Sequence, residues 1–306
     1  MLEDFLEQTE FKDYNDFFAN YKIKIPANFN FGYDVVDVLA QRTPDASAFI
    51  WCNDNDEELC MTFGELKERT DKAAAYFRSI GIKRGDFVML ILQRRYEFWI
   101  SIVALHKIGA AVIPATHMLT KEDIVFRCNA AYIKAVVAVD HRELFKYIED
   151  AQKECPSLKT LVAVPPFGID QGMSDEFKKN HPTWLDFTEG YKNVGEGELQ
   201  EFHALKREEI SKNDDIFLAY LLRELQVIQS LFHITSFILL DTLLLQATGS
   251  RYRRVVSILQ LPTQDGEKQS GVSCMVSGLL NVQYSFTTIM TNLSLLTLLS
   301  RLKNII

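Results

Sequence analysis

Phe87-Val88-Met89-Leu90-Ile91-Leu92, then Ala111-Val112-Ile113, then Ala135-Val136-Val137-Ala138-Val139 are three short, uninterrupted apolar runs, and their spacing decides the fold. Helical patterns lie between them at about 95–108 and 120–131. A strand with one wet face alternates apolar and polar residues, whereas a strand covered on both faces does not. The runs therefore predict strands buried on both faces, joined by connections long enough for right-handed crossovers to parallel neighbours. Working outward, a helical pattern at about 64–79 precedes the first run and another at about 141–153 follows the third. Leu161-Val162-Ala163-Val164 adds a fourth strand. The fold class is α/β, a mostly parallel sheet with helices on both faces.

The boundaries carry their own signals. Thr62 stands three residues before Glu65, the spacing of a capping box. Gly81-Ile82-Lys83-Arg84-Gly85-Asp86 supplies the turn into the first run. Its Arg84-Gly85-Asp86 is also a cell-adhesion tripeptide, but a helix-to-strand turn already accounts for those residues. Upstream, Leu2 to about Asn20 reads as an acidic amphipathic helix, 24–32 as a connector and Tyr33 to Gln41 as a short helix. Downstream, 165–213 is rich in Pro, Gly, Lys, Glu and Asn and reads as a long surface excursion with a few short elements and without a catalytic cluster. After Asn213-Asp214-Asp215, Ile216-Phe217-Leu218-Ala219-Tyr220 reads as one more buried strand.

Composition bounds the function. The chain has 306 residues, 47% of them hydrophobic, and 33 Lys+Arg against 41 Asp+Glu, a net charge of -8. Binding to nucleic acid backbones draws mainly on clustered Lys and Arg, so nucleic acid is not an expected partner. Five cysteines, an odd number without C-x-x-C spacing, and a start lacking a basic and then apolar leader place the chain in a reducing cytoplasm. The average hides a seam at Tyr220. Residues 221–306 hold 7 Lys+Arg, 4 Asp+Glu and 19 Leu, net +3, whereas residues 1–220 are net -11. The Leu runs of the tail follow neither the helical nor the strand period.

Met61-Thr62-Phe63-Gly64-Glu65-Leu66, the turn 81–86 with Phe87-Val88, Glu97-Phe98-Trp99, and the run from Lys107-Ile108-Gly109 to Pro114-Ala115-Thr116 resemble, in order and spacing, the N-terminal part of the AMP-forming acyl-CoA synthetases. Phe29-Asn30-Phe31 and Lys121-Glu122-Asp123-Ile124 with Arg127 resemble the short- and medium-chain branch of that adenylate-forming superfamily. The resemblance covers about 1–220 and implies a partial N-terminal, AMP-binding domain. It implies ATP, Mg and coenzyme A as cofactors of the intact family, a small-molecule carboxylic acid as substrate, and a role in fatty acid metabolism. Members form an acyl-adenylate and pyrophosphate, then move the acyl group to the coenzyme A thiol. Acetate, another short acid and a medium-chain acid all fit the resemblance.

The family's phosphate loop, T-S-G-T-T-G-x-P-K, would start just after Tyr220. Backbone N–H groups and hydroxyls of such a loop hold phosphates, and its Lys neutralises the departing pyrophosphate. This chain instead has Leu221-Leu222-Arg223-Glu224-Leu225-Gln226-Val227-Ile228-Gln229, without Gly or Lys. The permitted codons CTT CGG GAA CTA CAG GTA ATC CAA AGC TTG encode 222–231. Read one base earlier, with A closing the codon of Leu221, the same bases spell T-S-G-T-T-G-N-P-K-L. A single T lost after the codon of Tyr220 produces the change. Residues 221–306 therefore read as an out-of-frame tail with no domain of its own. No residue of the chain is assigned a catalytic, cofactor-binding or metal-ligating role, and the truncated chain is expected to be inactive alone and to bind no cofactor. An exposed parallel edge after Tyr220 is also expected, with aggregation or degradation as its result.

Two other classes of function compete. A membrane-attached binding module would use Leu231–Leu245, but that stretch holds His233 and Asp241 and is shorter than the roughly 20 apolar residues of a span. A nucleotide-binding scaffold would need a glycine-rich turn that follows a strand, whereas Gly81-x-x-x-Gly85 precedes one. His106, His117 and His141 read as isolated core or surface residues, Trp51, Trp99 and Trp184 as packing residues, and Cys52 and Cys60 as thiols that could face each other across a hairpin. No membrane partner is expected.

Overall fold

The computed structural model describes residues 2–223, 229–235, 274–277 and 282–284. Helices α1 (Leu2–Phe5) and α2 (Tyr14–Asn20) open the chain, and a turn of wide π-helix, Gly32–Asp37, runs into α3 (Val38–Arg42). The hairpin β1 (Ser47–Cys52) and β2 (Glu58–Thr62) leads directly into α4 (Phe63–Ser79). Then strands and helices alternate: β3 (Phe87–Ile91), α5 (Glu97–Lys107), β4 (Ala111–Pro114), α6 (Lys121–Ala131), β5 (Ala135–Val139), α7 (Leu144–Gln152) and β6 (Thr160–Val164). After α8 (Asp175–Asn180), β7 (Trp184–Asp186), α9 (Phe187–Lys192), α10 (Glu196–His203) and α11 (Arg207–Ile210) comes β8 (Ile216–Arg223). The remaining described strands are β9 (Gln229–Thr235), β10 (Cys274–Ser277) and β11 (Val282–Tyr284).

The large sheet has the order β7-β6-β5-β3-β4-β8-β9. Its first six strands are parallel and β9 runs antiparallel to β8. Because successive side chains point to opposite faces, each apolar run feeds two cores. Val88 and Leu90 join the cluster built with α4 and α5, while Met89 and Ile91 join the one built with α6 and α7. Val137 and Val139 divide from Val136 and Ala138 in the same way. That double burial is why the runs carry no polar alternation.

Local chemistry fixes the ends. The Thr62 hydroxyl accepts from the Glu65 N–H while the Glu65 carboxylate accepts from the Thr62 N–H, and Thr120 and Asp123 repeat the box on α6. Gly81 and Gly85 both have φ in the left-handed region, at 92° and 81°, which side chains resist. The tripeptide at 84–86 is engaged within the fold: Arg84 pairs with Asp215, and Asp86 with Lys134 at 2.7 Å. Trp51, Trp99 and Trp184 are buried in the cores.

Four expectations are corrected. The opening helix is broken, since Leu6 bridges to Ile23 and the Glu7 N–H donates to the Lys22 carbonyl, so that the chain leaves α1 extended and α2 lies within the loop between the paired residues. The stretch 165–213 has the short elements expected of it but is not merely a surface excursion: one of them, β7, joins the sheet, and Phe187 and Phe202 are buried almost completely. Cys52 does not face Cys60. Asn53 Oδ1 accepts from the N–H groups of Asn55 and Glu57, closing a turn that sets Cys52 opposite Glu58 and Cys60 opposite Ile50. Finally, the edge of β8 is covered, because β9 pairs along it from Thr235 opposite Ile216 to Gln229 opposite Arg223. A backbone ladder asks little of side-chain identity, so tail residues satisfy the edge.

Of the tail, only 221–223, 229–235, 274–277 and 282–284 are described. β10 pairs antiparallel with β1 and with β11, completing the small sheet β11-β10-β1-β2. Within the segment weighed as a membrane span, 231–235 belong to β9 and the rest lies outside the described residues. Among the described residues no helix is long and apolar enough to cross a membrane.

Candidate functional site

Parallel strands all end at one edge of the sheet, and their following loops meet there. From β3 the chain crosses by α5 to β4, and from β4 it returns by α6 past β3 to β5 on the other side. Adjacent strands whose exits leave in opposite directions open a crevice at their carboxyl ends, the place where open α/β sheets bind ligands. The candidate site is the edge formed by the exits of β3, β4, β5 and β8.

After β3, Gln93 takes φ 47° and turns the chain toward Arg95. The Arg95 guanidinium is buried, donates to both oxygens of Glu97 at 3.0 and 2.6 Å and to the Gly168 carbonyl at 2.7 Å, and lies over the Trp51 ring at 5.2 Å. Burial pushes the Glu97 carboxyl above its ordinary value, against the pull of Arg95. This pair fastens the exit of β3 to the loop after β6 and to the hairpin of β1.

After β4, the Ala115 N–H donates to the Leu90 carbonyl at 2.9 Å, and Thr116 Oγ1 accepts from the Met118 N–H at 3.2 Å. The short loop so closed holds His117 half-buried beside an exposed Met118. After β5, the Asp140 N–H donates to the Val164 carbonyl, His141 follows, and Arg142 takes φ 48°. The His117 and His141 rings meet with centroids 4.6 Å apart and planes inclined at 78°. They come from strands on either side of β3, so the pair spans its carboxyl end. Among the described residues no group of three or more His, Cys, Asp or Glu gathers as a metal centre.

After Tyr220, β8 continues to Arg223. Arg127 of α6 donates to the Leu221 carbonyl at 2.7 Å, and Leu221, Leu222 and Arg223 pair with Leu231, Ser230 and Gln229. Backbone engaged in a ladder offers no concave row of N–H donors. The residues present at the end of β8 therefore do not fit a nucleotide's phosphates.

Sequence reading assigned no site residue, and its isolated histidines resolve into different environments. His106 is buried against Phe217 with centroids 4.2 Å apart, and burial lowers its pKa to about 3. The His117–His141 meeting was missed because it is tertiary. Each histidine follows an apolar strand by two or three residues, a signal that becomes readable only once both strands are known to be parallel and one strand apart.

The sequence pattern of the family described as AMP-binding enzyme matches residues 36–220. Mitochondrial acyl-coenzyme A synthetase ACSM5 of Rattus norvegicus is 34% identical over 174 residues, which is 55% of this chain and 28% of that protein. Mitochondrial acyl-coenzyme A synthetase ACSM4 of Mus musculus is 33% identical over 178 residues, 56% of this chain and 28% of that protein. The chain thus spans little more than a quarter of the length of these curated relatives. Among solved structures, acetoacetyl-CoA synthetase from Streptomyces lividans superposes with a TM-score of 0.56 at 16% identity, over 74% of this chain and 33% of that one. The anthranilate CoA ligase AuaEII in complex with anthranoyl-AMP gives 0.55 at 16% identity, over 74% and 38%. These two likenesses are of fold.

Proposed function

The chain belongs to the AMP-binding enzyme family, and on that premise we propose that residues 1–220 are the first part of an acid–CoA ligase. Such an enzyme uses ATP and Mg to convert a short- or medium-chain carboxylic acid to acyl-AMP and pyrophosphate, then passes the acyl group to the thiol of coenzyme A. The observation that carries the reading is where the family match stops. It ends at Tyr220, inside β8, on the strand whose carboxyl end borders the crevice. The names of the relatives, acyl-coenzyme A synthetases, support the same chemistry.

For the chain as it stands we infer that no acyl-adenylate forms. Phosphates would require the flexible donors and the Lys that residues 221–229 lack. Residues 221–306 are in this reading an out-of-frame tail, and residues 1–220 a domain missing its phosphate loop. The unbridged thiols of Cys52, Cys60, Cys128 and Cys155 agree with a reducing compartment. We place the protein in the cytoplasm; recovery of the chain with purified mitochondria, as the names of the relatives would suggest, overturns that placement.

The test compares two proteins, the 306-residue chain and the product of the same gene with one T restored after the codon of Tyr220. Carboxylate-dependent exchange of labelled pyrophosphate into ATP is expected only from the second. Exchange by the 306-residue chain would overturn its assignment as inactive. A restored product that is folded yet inert with acetate through medium-chain acids would overturn the ligase reading.

A further inference from the structure

We infer that Arg127 is a positioning residue: by holding the Leu221 carbonyl it fixes the point at which the chain leaves β8 for the crevice. The inference rests on the ligase reading, in which the segment after Tyr220 of the intact enzyme carries the phosphate donors. The need for such a holder is visible in the sheet. Val112 stands opposite Leu218, so Pro114, the last residue of β4, stands opposite Tyr220, and Leu221 is the first residue of β8 beyond its parallel neighbour. The Ala115 N–H is turned to β3, where it donates to the Leu90 carbonyl. By alternation the N–H groups of β4 that face β8 belong to Val112 and Pro114, and a proline has none to give. Past Val112 the backbone of β4 therefore offers β8 no further donor. Arg127 supplies one, its Nη1 donating to the Leu221 carbonyl at 2.7 Å.

The helix that carries Arg127 is built to reach this spot. α6 joins two parallel strands and so runs against them, and helical side chains lean toward the start of their helix, here the crevice edge. α6 is fixed at that edge by the Thr120–Asp123 box, and its Ile124 and Cys128 are buried in the same core as Ala219 and Leu221. The guanidinium keeps its charge at any ordinary pH, and a charged donor makes a shorter, stronger hydrogen bond than a neutral one. Because the acceptor is main chain, the grip does not depend on which side chain stands at 221. The same grip is open to the frame-restored product. A glycine-rich loop has little stiffness of its own, so its donors lie where its base is held. A misplacement of about 1 Å in such a site costs on the order of a hundredfold in rate.

The test has two arms. In the 306-residue chain, Arg127→Leu removes the donor and keeps an apolar stem against α6. Amide hydrogen exchange at 221–223 is expected to quicken by about tenfold or more, with β3 and β5 as protected as in the parent. Parent-like protection at 221–223, or equal quickening in β3 and β5, would overturn a local anchor. In the frame-restored product, Arg127→Leu is expected to lower kcat for pyrophosphate exchange by roughly tenfold to a hundredfold, with KM for the carboxylic acid unchanged. Arg127→Lys, which keeps a cation able to donate to one carbonyl, should recover most of that loss. A loss that Arg127→Lys does not relieve overturns the assignment. An active restored parent whose Arg127→Leu is equally fast overturns the inference alone. A folded but inert restored parent overturns the ligase reading, and with it any part for Arg127 in the reaction. If Arg127→Leu does not fold, Arg127→Gln, with a shorter side chain, takes its place in both arms.

Discussion

Arg84 grips Asp215 with two parallel hydrogen bonds, Nε to one carboxylate oxygen at 2.9 Å and Nη2 to the other at 2.8 Å. The pair joins the turn that enters β3 to the turn that enters β8, two strands separated in the sheet by β4. It clamps the amino-terminal edge, opposite the crevice. Both groups are partly exposed, so solvent screening keeps the gain small. Asp215→Ala is expected to lower stability by about 0.5–1 kcal/mol, measured by urea unfolding, with the difference shrinking in high salt.

Lys107 presents a harder case. Its ammonium is fully buried and donates to Asp37 and Asp71 at 2.6 Å each. Burial raises the Asp71 carboxyl, but Lys107 and Lys67 outweigh it and hold that group below its ordinary value; Asp37, with burial dominant, stays above. Replacing Lys107 by Met leaves buried carboxylates without their main partner, a loss of about 3–5 kcal/mol. In that variant the carboxyls are raised, so stability is greatest when they are protonated and falls as pH rises through their folded-state values. Urea midpoints of Lys107→Met should therefore recover toward the parent's as pH is lowered from 7 toward 5.

His106 predicts a slope of the opposite sense in the parent. Its folded pKa, lowered by burial to about 3, lies below the unfolded value of about 6.5, so the unfolded chain binds a proton that the native chain refuses. Stability is full above about 6.5 and is lost as pH falls, by up to about 1.4 kcal/mol per pH unit. His106→Leu should remove that increment between pH 6 and 4. A parent and variant with parallel pH profiles over that range would contradict the buried neutral imidazole.

Thr62 and Glu65 satisfy two otherwise unpaired N–H groups at the start of α4, the helix that lines the β3 face of the sheet. Thr62→Ala should cost about 1 kcal/mol and Glu65→Ala less, read from thermal unfolding. Thr62→Ser should restore most of the loss.

Much of the architecture was legible because burial on both faces leaves a plain mark. Phe87–Ile91 and Ala135–Val139 are apolar at every position, and their short length, their β-branched content and the Gly-marked turn before Phe87 favour strands over buried helix segments. The opening helix misled because Leu2, Phe5 and Leu6 continue in helical phase toward Phe17, while the break is imposed from outside by pairing of Leu6 with Ile23. Phe187 and Phe202 escaped notice because each sits on a helix of six or eight residues, too short to display a period. The absent phosphate loop was visible only against the family pattern, since nothing physical about Leu221-Leu222-Arg223 forbids a strand. His117 and His141 were both seen, but as single residues, because their partnership depends on strand order.

Strand pairing is a transaction between main chains, and β8 runs through Tyr220 to Arg223 without a step in its ladder. The sheet is thus indifferent to the message carried by its side chains at that point. The ladder is continuous across the residue where the family match ends, so main-chain pairing and side-chain identity part company within a single element. A cell's quality-control machinery, which senses exposed backbone and apolar surface, would meet β8 already paired, with the edge of the sheet moved out to β9.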